Sequence, residues 1–272
     1  MFHDRSGLGG PNYFACRYAA SRVTYRGPPV NTDYPYIAFI GASETFGPFV
    51  EAPFPTLVAE DFGVQAMNLG VRNAGPDVHL HSRGVLDLTQ GALATIVQVP
   101  LVANLSNRFY RVHPRRNDRV IQAMPDLLAR APMLDLCDVH FIGHFWAELA
   151  RQAPDVLPVV QDEVERTWVE RMQLLLDHVA QPAFILWVEP WGPPRAQGLP
   201  VTRKLLEAIE PYADDQIGVR PSQAAKVEGA STLIFGTEDR AKAAYAMNAA
   251  AHRDVAGAIL EVMRPEMTKA RA

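Results

Sequence analysis

"YIAFIGASETFGPFVEAPFPTLVAEDFG", residues 36–63, places a small-residue turn between an apolar run and a helical pattern. Residues 36–40 are nearly continuous in apolar character, which is typical of a strand in a parallel sheet that is covered on both faces. The segment "FPTLVAEDF" has apolar residues at spacings of three and four, as an amphipathic helix does. The turn Gly41-Ala42-Ser43 therefore brings a hydroxyl to the carboxyl end of a predicted buried strand. A helix cap is the alternative role for Ser43.

Four further apolar runs predict the remaining strands of the same sheet: residues 64–69, 95–102, 183–188 and 231–235. Helical patterns separate them, most clearly in "VVQDEVERTWVERMQLLLDHVA". Repeated strand, helix, strand units form right-handed crossovers that place helices on both faces of a sheet. The sequence thus predicts an α/β protein, a three-layer α/β/α sandwich with a mostly parallel five-stranded sheet.

The composition is that of a globular protein. The 272 residues are 48% hydrophobic and carry a formal net charge of -4, which gives no general field for holding nucleic acid. No apolar run approaches the roughly 20 residues that span a bilayer, and two cysteines are too few for a disulfide framework. We expect one domain over residues 1–272, with an N-terminal arm (1–33) and an insertion (103–160) over the carboxyl edge of the sheet. The expected setting is the cytoplasm, without nucleic acid or membrane, and a homo-oligomer is compatible with the sequence.

Chemically useful residues follow the predicted strands in a suggestive order. Ser43 comes after the first strand, Gly70 ends the second, Asn104 and Asn107 follow the third, and His252 follows the fifth. The carboxyl ends of parallel strands meet at one edge of the sheet, where sites of this fold class form. A serine nucleophile needs a histidine that takes its proton, and the anionic intermediate needs hydrogen-bond donors. The order therefore suits acyl-transfer chemistry.

These segments resemble the SGNH (GDSL-like) hydrolase superfamily, which has a flavodoxin-like α/β fold. The resemblance rests on "GASETFGPFVEAPFPTLVAEDFGVQAMNLGV" and "AAAHRDVAGAILEVM", and it covers most of the chain in order and spacing. It implies that Ser43 is the nucleophile and one oxyanion donor, and that His252 is the general base. Gly70 would be the second oxyanion donor, with Asn104 or Asn107 as the third. The implied function is a serine esterase or O-acyltransferase that acts without a cofactor on a small-molecule or glycan ester.

The chain departs from the superfamily's pattern at two positions. Ala42 stands where the superfamily usually has aspartate, and Ala249 stands where its catalytic acid should be. Glu189, at the end of the fourth predicted strand, and Asn248 are the candidates to replace that acid. The departure also leaves open a second function, a non-catalytic glycan- or anion-binding protein that keeps the fold.

The chain further resembles a family of alphaproteobacterial proteins defined as a domain of unknown function, whose members are sometimes labelled capsular polysaccharide proteins. The resemblance rests on "GASETFGPFVEAPFPTLV", "NLGVRNAGPDVHL" and "SNRFYRVHPRRND". The last segment contains Arg108, Arg115 and Arg116, whose planar guanidinium groups suit an anionic substrate. A solvated loop paired with surface acids is the alternative. Trp191, after the fourth strand, is a candidate for stacking on a sugar ring, and packing is its alternative role.

A metal site is the third hypothesis. "CDVHFIGH" holds Cys137, His140 and His144 at spacings compatible with one helix, and these are suitable zinc ligands. No paired cysteines or His-Glu motif accompanies them, and no glycine-rich nucleotide motif follows the first strand. We therefore expect neither a metal nor a cofactor.

Overall fold

A computed structural model describes residues 9–190 and 199–271 of the chain, with side chains up to residue 266. Its centre is a five-stranded parallel sheet with the order β2-β1-β3-β6-β7. Counted among the strands of this sheet alone, the order is 2-1-3-4-5, that of flavodoxin-like folds. The strands are β1 (Tyr36–Gly41), β2 (Gln65–Gly70), β3 (Thr95–Gln98), β6 (Ala183–Val188) and β7 (Asp215–Val219), while β4 (Tyr110–His113) and β5 (Arg116–Ala123) form a separate antiparallel pair.

Helices cover both faces of the central sheet, which confirms the predicted three-layer α/β/α class. The alternating side chains of β1 divide the core. Ile37 and Phe39 belong to one buried cluster, and Tyr36 and Ile40 belong to the other. The helices are α1 (Ser43–Phe46), α2 (Phe54–Phe62), α3 (Pro76–Leu80), α4 (Arg83–Leu86), α5 (Pro125–Arg130), α6 (Ile142–Gln152), α7 (Leu157–His178), α8 (Arg203–Ile209), α9 (Gln223–Glu228), α10 (Arg240–Ala243) and α11 (Ala249–Arg271).

The two layers of helices have different members. Helices α2 and α11 pack on the face that contains Ile37 and Phe39, where buried Val255 and Ile259 of α11 contribute to the cluster. Helix α7 packs on the opposite face and buries Trp168 completely. Its 22 residues and those of α2 match the helical patterns read from the sequence.

The fifth predicted strand, residues 231–235, is wrong. Those residues form turns and coil, and Leu233 packs with Phe49 and Val50 in a small separate cluster. The fifth strand is β7, where Ile217 and Val219 are buried while Asp215 and Gly218 are exposed. An edge strand with one exposed side does not produce a continuous apolar run, so the sequence pattern missed it.

The third strand is also shorter than predicted, and further helices and an antiparallel strand pair follow it. Strand β3 ends at Gln98, two residues before Pro100, which cannot donate a hydrogen bond to a sheet. Residues 103–160 contain β4, β5, α5, α6 and the first turn of α7. Tyr110 of β4 is fully buried against Phe145 and Trp146 of α6, and all three belong to the same buried cluster as Tyr36 and Ile40 of β1.

The N-terminal arm packs against the loop between α1 and α2. A backbone bridge joins Cys16 to Tyr25, and it is followed by Arg26, whose side chain is only 4% exposed. The Arg26 guanidinium donates to four carbonyl oxygens of that loop, those of Phe46, Gly47, Val50 and Glu51, at 2.5–3.3 Å. The arm is thus part of the scaffold around the first strand's carboxyl end.

Among the residues that the structure describes, no helix has the length and apolar character needed to cross a membrane.

Candidate functional site

A cavity of about 370 Å³ lies beside the carboxyl end of β1. Three segments that are distant in sequence supply its polar lining. Ser43 begins α1 directly after β1, Arg72 and Asn73 follow β2, and His252 lies in the first turn of α11. Apolar side chains, including Phe49 and Met247, complete the wall. The structure therefore brings the predicted nucleophile and the predicted base to one cavity.

Two hydrogen bonds to the Gln98 side chain hold the turn that carries Ser43. Gln98, at the end of β3, accepts with its Oε1 from the Ala42 amide at 2.6 Å and from the Thr45 hydroxyl at 3.2 Å. Gly41 admits no side chain, since a Cβ there would lie 2.1 Å from the Thr45 hydroxyl oxygen. The apolar strand and the Gly-Ala-Ser turn thus fix the position of Ser43 accurately.

The Ser43 hydroxyl forms two hydrogen bonds with Asn73, one as acceptor and one as donor. The Asn73 amide donates to Ser43 Oγ at 3.0 Å, and Ser43 Oγ donates to Asn73 Oδ1 at 3.3 Å. Asn73 has a left-handed backbone (φ 55°), which asparagine tolerates better than most residues. Its Nδ2 in turn donates to Asp118 Oδ2 of β5 at 3.1 Å. Sequence analysis missed Asn73; the turn-forming "RNAGP" after β2 was the available signal.

His252 is completely buried, and its two ring nitrogens have different roles. Its Nδ1 accepts a hydrogen bond from the Phe54 amide at 3.1 Å, and its ring stacks on the Phe54 ring at a centroid distance of 5.9 Å. Because Nδ1 accepts from an N–H group, it carries no proton, and the proton of the neutral imidazole lies on Nε2. This Nε2 has no hydrogen-bond partner within the described chain. His252 therefore has a buried N–H donor without a partner at the wall of the cavity.

Burial, and to a smaller extent the positive charge of Arg26, lower the pKa of His252 to about 3. A general base works best when its pKa lies near the working pH. No hydrogen bond joins Ser43 to His252 within residues 9–190 and 199–271. In this arrangement, His252 is neutral, and its free nitrogen is a donor where a serine base would need an acceptor.

Among the described residues, neither candidate acid has a side-chain hydrogen bond to the His252 ring. Asn248 is the cap of α11: its Oδ1 accepts from the Ala251 amide at 2.9 Å, and its Nδ2 donates to the carbonyls of Ala225 and Gly229, both at 2.8 Å. Glu189 forms an ion pair with Arg220 at 2.9 Å and lines a different cavity. The place of an orienting acid is taken by the Phe54 backbone amide.

The predicted oxyanion donors are committed to internal hydrogen bonds. The Gly70 amide donates to Asn68 Oδ1 at 2.9 Å, and Gly70 lacks a side chain because α1 lies against it, with the Phe46 nitrogen 2.4 Å from a hypothetical Cβ. Asn104 Nδ2 donates to the Asn73 carbonyl at 3.0 Å. Asn107 Nδ2 donates to the Leu105 carbonyl at 3.5 Å, and its Oδ1 accepts from the amides of Phe109 and Tyr110. None of these three predicted residues lines the Ser43 cavity.

The predicted substrate-binding arginines lie away from this cavity. Arg108 pairs with Asp126 on the surface, Arg116 is exposed on β5, and Arg115 lines a third cavity. Trp191 lies outside the described residues. The arginine at the site is Arg72, which the sequence reasoning did not single out.

Arg72 is held over aromatic rings at the cavity wall. Its guanidinium carbon lies 5.2 Å from the ring centre of Phe46, 5.6 Å from that of Tyr13 and 5.7 Å from that of Phe49, and Nη2 donates to the Tyr13 hydroxyl at 3.2 Å. Such contacts orient a cation and restrict its rotamers. The site therefore combines a fixed positive charge with the neutral donor of His252.

The metal hypothesis receives no support from the described residues, among which no group of three or more histidine, cysteine, aspartate or glutamate residues could hold an ion. Cys137 and His140 precede α6, so they do not share a helical face with His144, which instead lies 3.7 Å from Glu148.

Comparisons with known proteins give one match. A family model described as a domain of unknown function (DUF6473) matches residues 1–267. No curated protein and no solved structure matches the chain.

Proposed function

The chain belongs to the DUF6473 family, whose description states no activity, and from the geometry of the site we propose that it binds a small carboxylate-bearing ligand, such as a sugar acid, without catalysing its hydrolysis. The observation that carries this proposal is the state of His252. His252 lines the cavity, and the buried Nε2–H group of its imidazole has no partner in the described part of the chain.

A buried donor without a partner destabilises the folded protein by about 1–3 kcal/mol when the group is neutral. A ligand oxygen that reaches His252 Nε2 removes that cost, since it accepts the unused hydrogen bond. A carboxylate is the best acceptor here, because hydrogen bonds to an ionised group are stronger than neutral ones. The cavity thus favours an anionic oxygen over a hydroxyl.

The charge of the cavity supports the same ligand class. Arg72 supplies a positive charge held over three rings, and Lys242, which pairs with Asp239 at 2.5 Å, is the second cationic residue of the described lining. Glu44 is the one carboxylate among the described lining residues. Phe49 and Met247 give an apolar surface on which the body of a ligand can pack. A volume of about 370 Å³ is at the lower end of the range for small-molecule sites, so a single sugar acid fits this scale.

Serine-dependent ester hydrolysis or acyl transfer is the second candidate function. It is favoured by one observation, that Ser43 and His252 line the same cavity at the carboxyl edge of a flavodoxin-like sheet. It requires His252 to carry its proton on Nδ1 so that Nε2 can accept from Ser43. That tautomer would place two N–H groups, those of Phe54 and of Nδ1, against each other. The binding function needs no such rearrangement.

Titration of the ¹⁵N-labelled protein with glucuronate, observed by NMR, tests the proposed function. We expect saturable shifts of residues around the cavity, and no comparable shifts with glucose, which lacks the carboxylate. His252→Phe removes the donor and should weaken glucuronate binding about 10- to 100-fold, since one hydrogen bond to a charged group contributes about 1.5–3 kcal/mol.

Because His252→Phe also leaves the Phe54 amide without its acceptor, Arg72→Gln serves as the second variant, and it should weaken binding by a similar factor. His140→Phe makes the same change at an exposed site and should bind as the wild type does. Equal affinity for glucose and glucuronate, or full affinity in both cavity variants, would overturn the proposal.

A further inference from the structure

The cavity that Arg115 lines is separate from the Ser43 site and lies where the N-terminal arm meets the β4–β5 turn. It has a volume of about 620 Å³ and is formed by residues 19–23, by parts of α3 and α4, and by residues 113–115. None of its lining residues also lines the cavity of Ser43 and His252. We call it the arginine cleft, after Arg22, Arg83 and Arg115.

The arginine cleft concentrates positive charge in a chain that is acidic overall. Arg22, Arg83 and Arg115 all line it, and no aspartate or glutamate is among its described lining residues. The positive charge of the cleft contrasts with the formal net charge of -4 for the whole chain. Because each arginine comes from a different segment, the cluster is produced by the fold.

The three arginines also have no carboxylate partner in the part of the chain that the structure describes. Within the described residues, none of them forms an ion pair with a carboxylate. Elsewhere the chain pairs its surface arginines readily, as Arg166 with Glu163 at 2.5 Å and Arg203 with Glu207 at 2.7 Å. Like charges gathered without counter-charges repel each other, and a bound anion would reverse that effect.

Two histidines add hydrogen-bonding groups to the arginine cleft. His81 and His113 line the cleft beside the arginines. His113 Nδ1 accepts from the Arg115 amide at 3.2 Å, so in the neutral ring the proton lies on Nε2 and makes that nitrogen a donor. The cleft therefore presents cationic and neutral donors and no anionic acceptor among its described residues.

We propose that the arginine cleft binds a small ligand through a phosphate or sulfate group. Guanidinium groups present planar, paired N–H donors that match the oxygens of these anions. A cleft lined from three sides suits a compact ligand better than a polymer that needs an extended surface. The proposal is independent of the function assigned to the Ser43 cavity.

Calorimetric titration with inorganic pyrophosphate at low ionic strength tests this site. We expect saturable binding at one site per chain, weakened by added salt. The double variant Arg83→Gln, Arg115→Gln should lose affinity about tenfold or more per arginine, because each removes a charge-assisted hydrogen bond. All three arginines are exposed at the cleft rim, so the variants should remain folded.

Arg116→Gln is the matched control, since Arg116 is adjacent in sequence and exposed but does not line the cleft. It should bind pyrophosphate like the wild type, and so should His252→Phe. The proposal is overturned by an absence of binding, by full affinity in the double variant, or by an equal loss in Arg116→Gln, which would indicate only a diffuse field. If a short single-stranded RNA binds the same residues more tightly than pyrophosphate does, the small-ligand proposal is also overturned, and the cleft is a nucleic-acid site.

Discussion

Replacing Arg26 with methionine is expected to lower the free energy of unfolding by about 3–5 kcal/mol, one of the two largest effects of any substitution considered for this chain. The guanidinium is 4% exposed and donates to four backbone carbonyls between Phe46 and Glu51. Burial lowers its pKa only to about 10, so the group remains charged at neutral pH. Methionine fills a similar length but leaves those carbonyls without their donors.

Urea denaturation measures this effect, and Arg17→Met is the control. Arg17 lies in the same arm and is exposed, so its replacement should change stability by less than about 0.5 kcal/mol. If the Arg26 and Arg17 variants have the same denaturation midpoint, the arm does not brace the loop. The loop also supplies Pro48 and Phe49 to the Ser43 cavity, so glucuronate binding should be lost together with stability.

Gly75→Ala is expected to be comparably severe, with a loss of more than about 3 kcal/mol or a failure to fold. A Cβ at Gly75 would lie 1.6 Å from the Asn104 carbonyl oxygen, a contact between two backbones that no side-chain rotation can relieve. The Gly75 amide also donates to Asn117 Oδ1 at 2.9 Å, which restricts movement in the other direction. The loops after β2 and β3 would have to separate, and Asn73 would move with them.

Gly257→Ala provides a control of opposite sign. Gly257 is exposed in α11, and a Cβ there would meet nothing within 4 Å. Since alanine is the better helix former, this variant should gain about 0.5–1 kcal/mol. Thermal denaturation of both variants gives the comparison. A Gly75→Ala protein that melts at or above the wild-type temperature would contradict the close approach of the two loops.

The central fold could be predicted because its strands are buried on both faces. Continuous apolar runs located β1 and β6 within a residue of their ends, and the turn at Ser43 was read correctly from its small residues. The sequence did not predict strand β7, because the exposed residues Asp215 and Gly218 interrupt its apolar pattern. Burial on one side only is the physical reason for this failure.

The candidate site could be predicted only in part, for a different reason. The order of residues along the chain indicates Ser43 and His252 as site residues, but it does not indicate which of their atoms form hydrogen bonds. Phe54 and His252 are 198 positions apart, and the hydrogen bond between them decides which ring nitrogen bears the proton. Similarly, the partner of the Gly70 amide, Asn68, is visible only once the chain is folded. Chemistry that depends on single hydrogen bonds lies beyond what spacing can indicate.

Long-range ¹H–¹⁵N NMR of the histidine rings is the measurement that tests the central claim most directly. The resonance of His252 is identified by its absence from the His252→Phe spectrum. The structure predicts a protonated Nε2 and an unprotonated Nδ1, with shifts that stay constant from about pH 8 to about pH 5, because the folded pKa is about 3. Its folded pKa is below the ordinary value, so neutral His252 favours the folded state at neutral pH, and this contribution declines as the pH falls from about 6.5 toward 3.

The opposite spectrum would contradict the binding function. A proton on Nδ1, with Nε2 unprotonated and a titration near pH 6.5, is the pattern that a serine base requires. A proton on Nε2 that persists across this range is the result that we predict, and it makes His252 a donor to a bound anion.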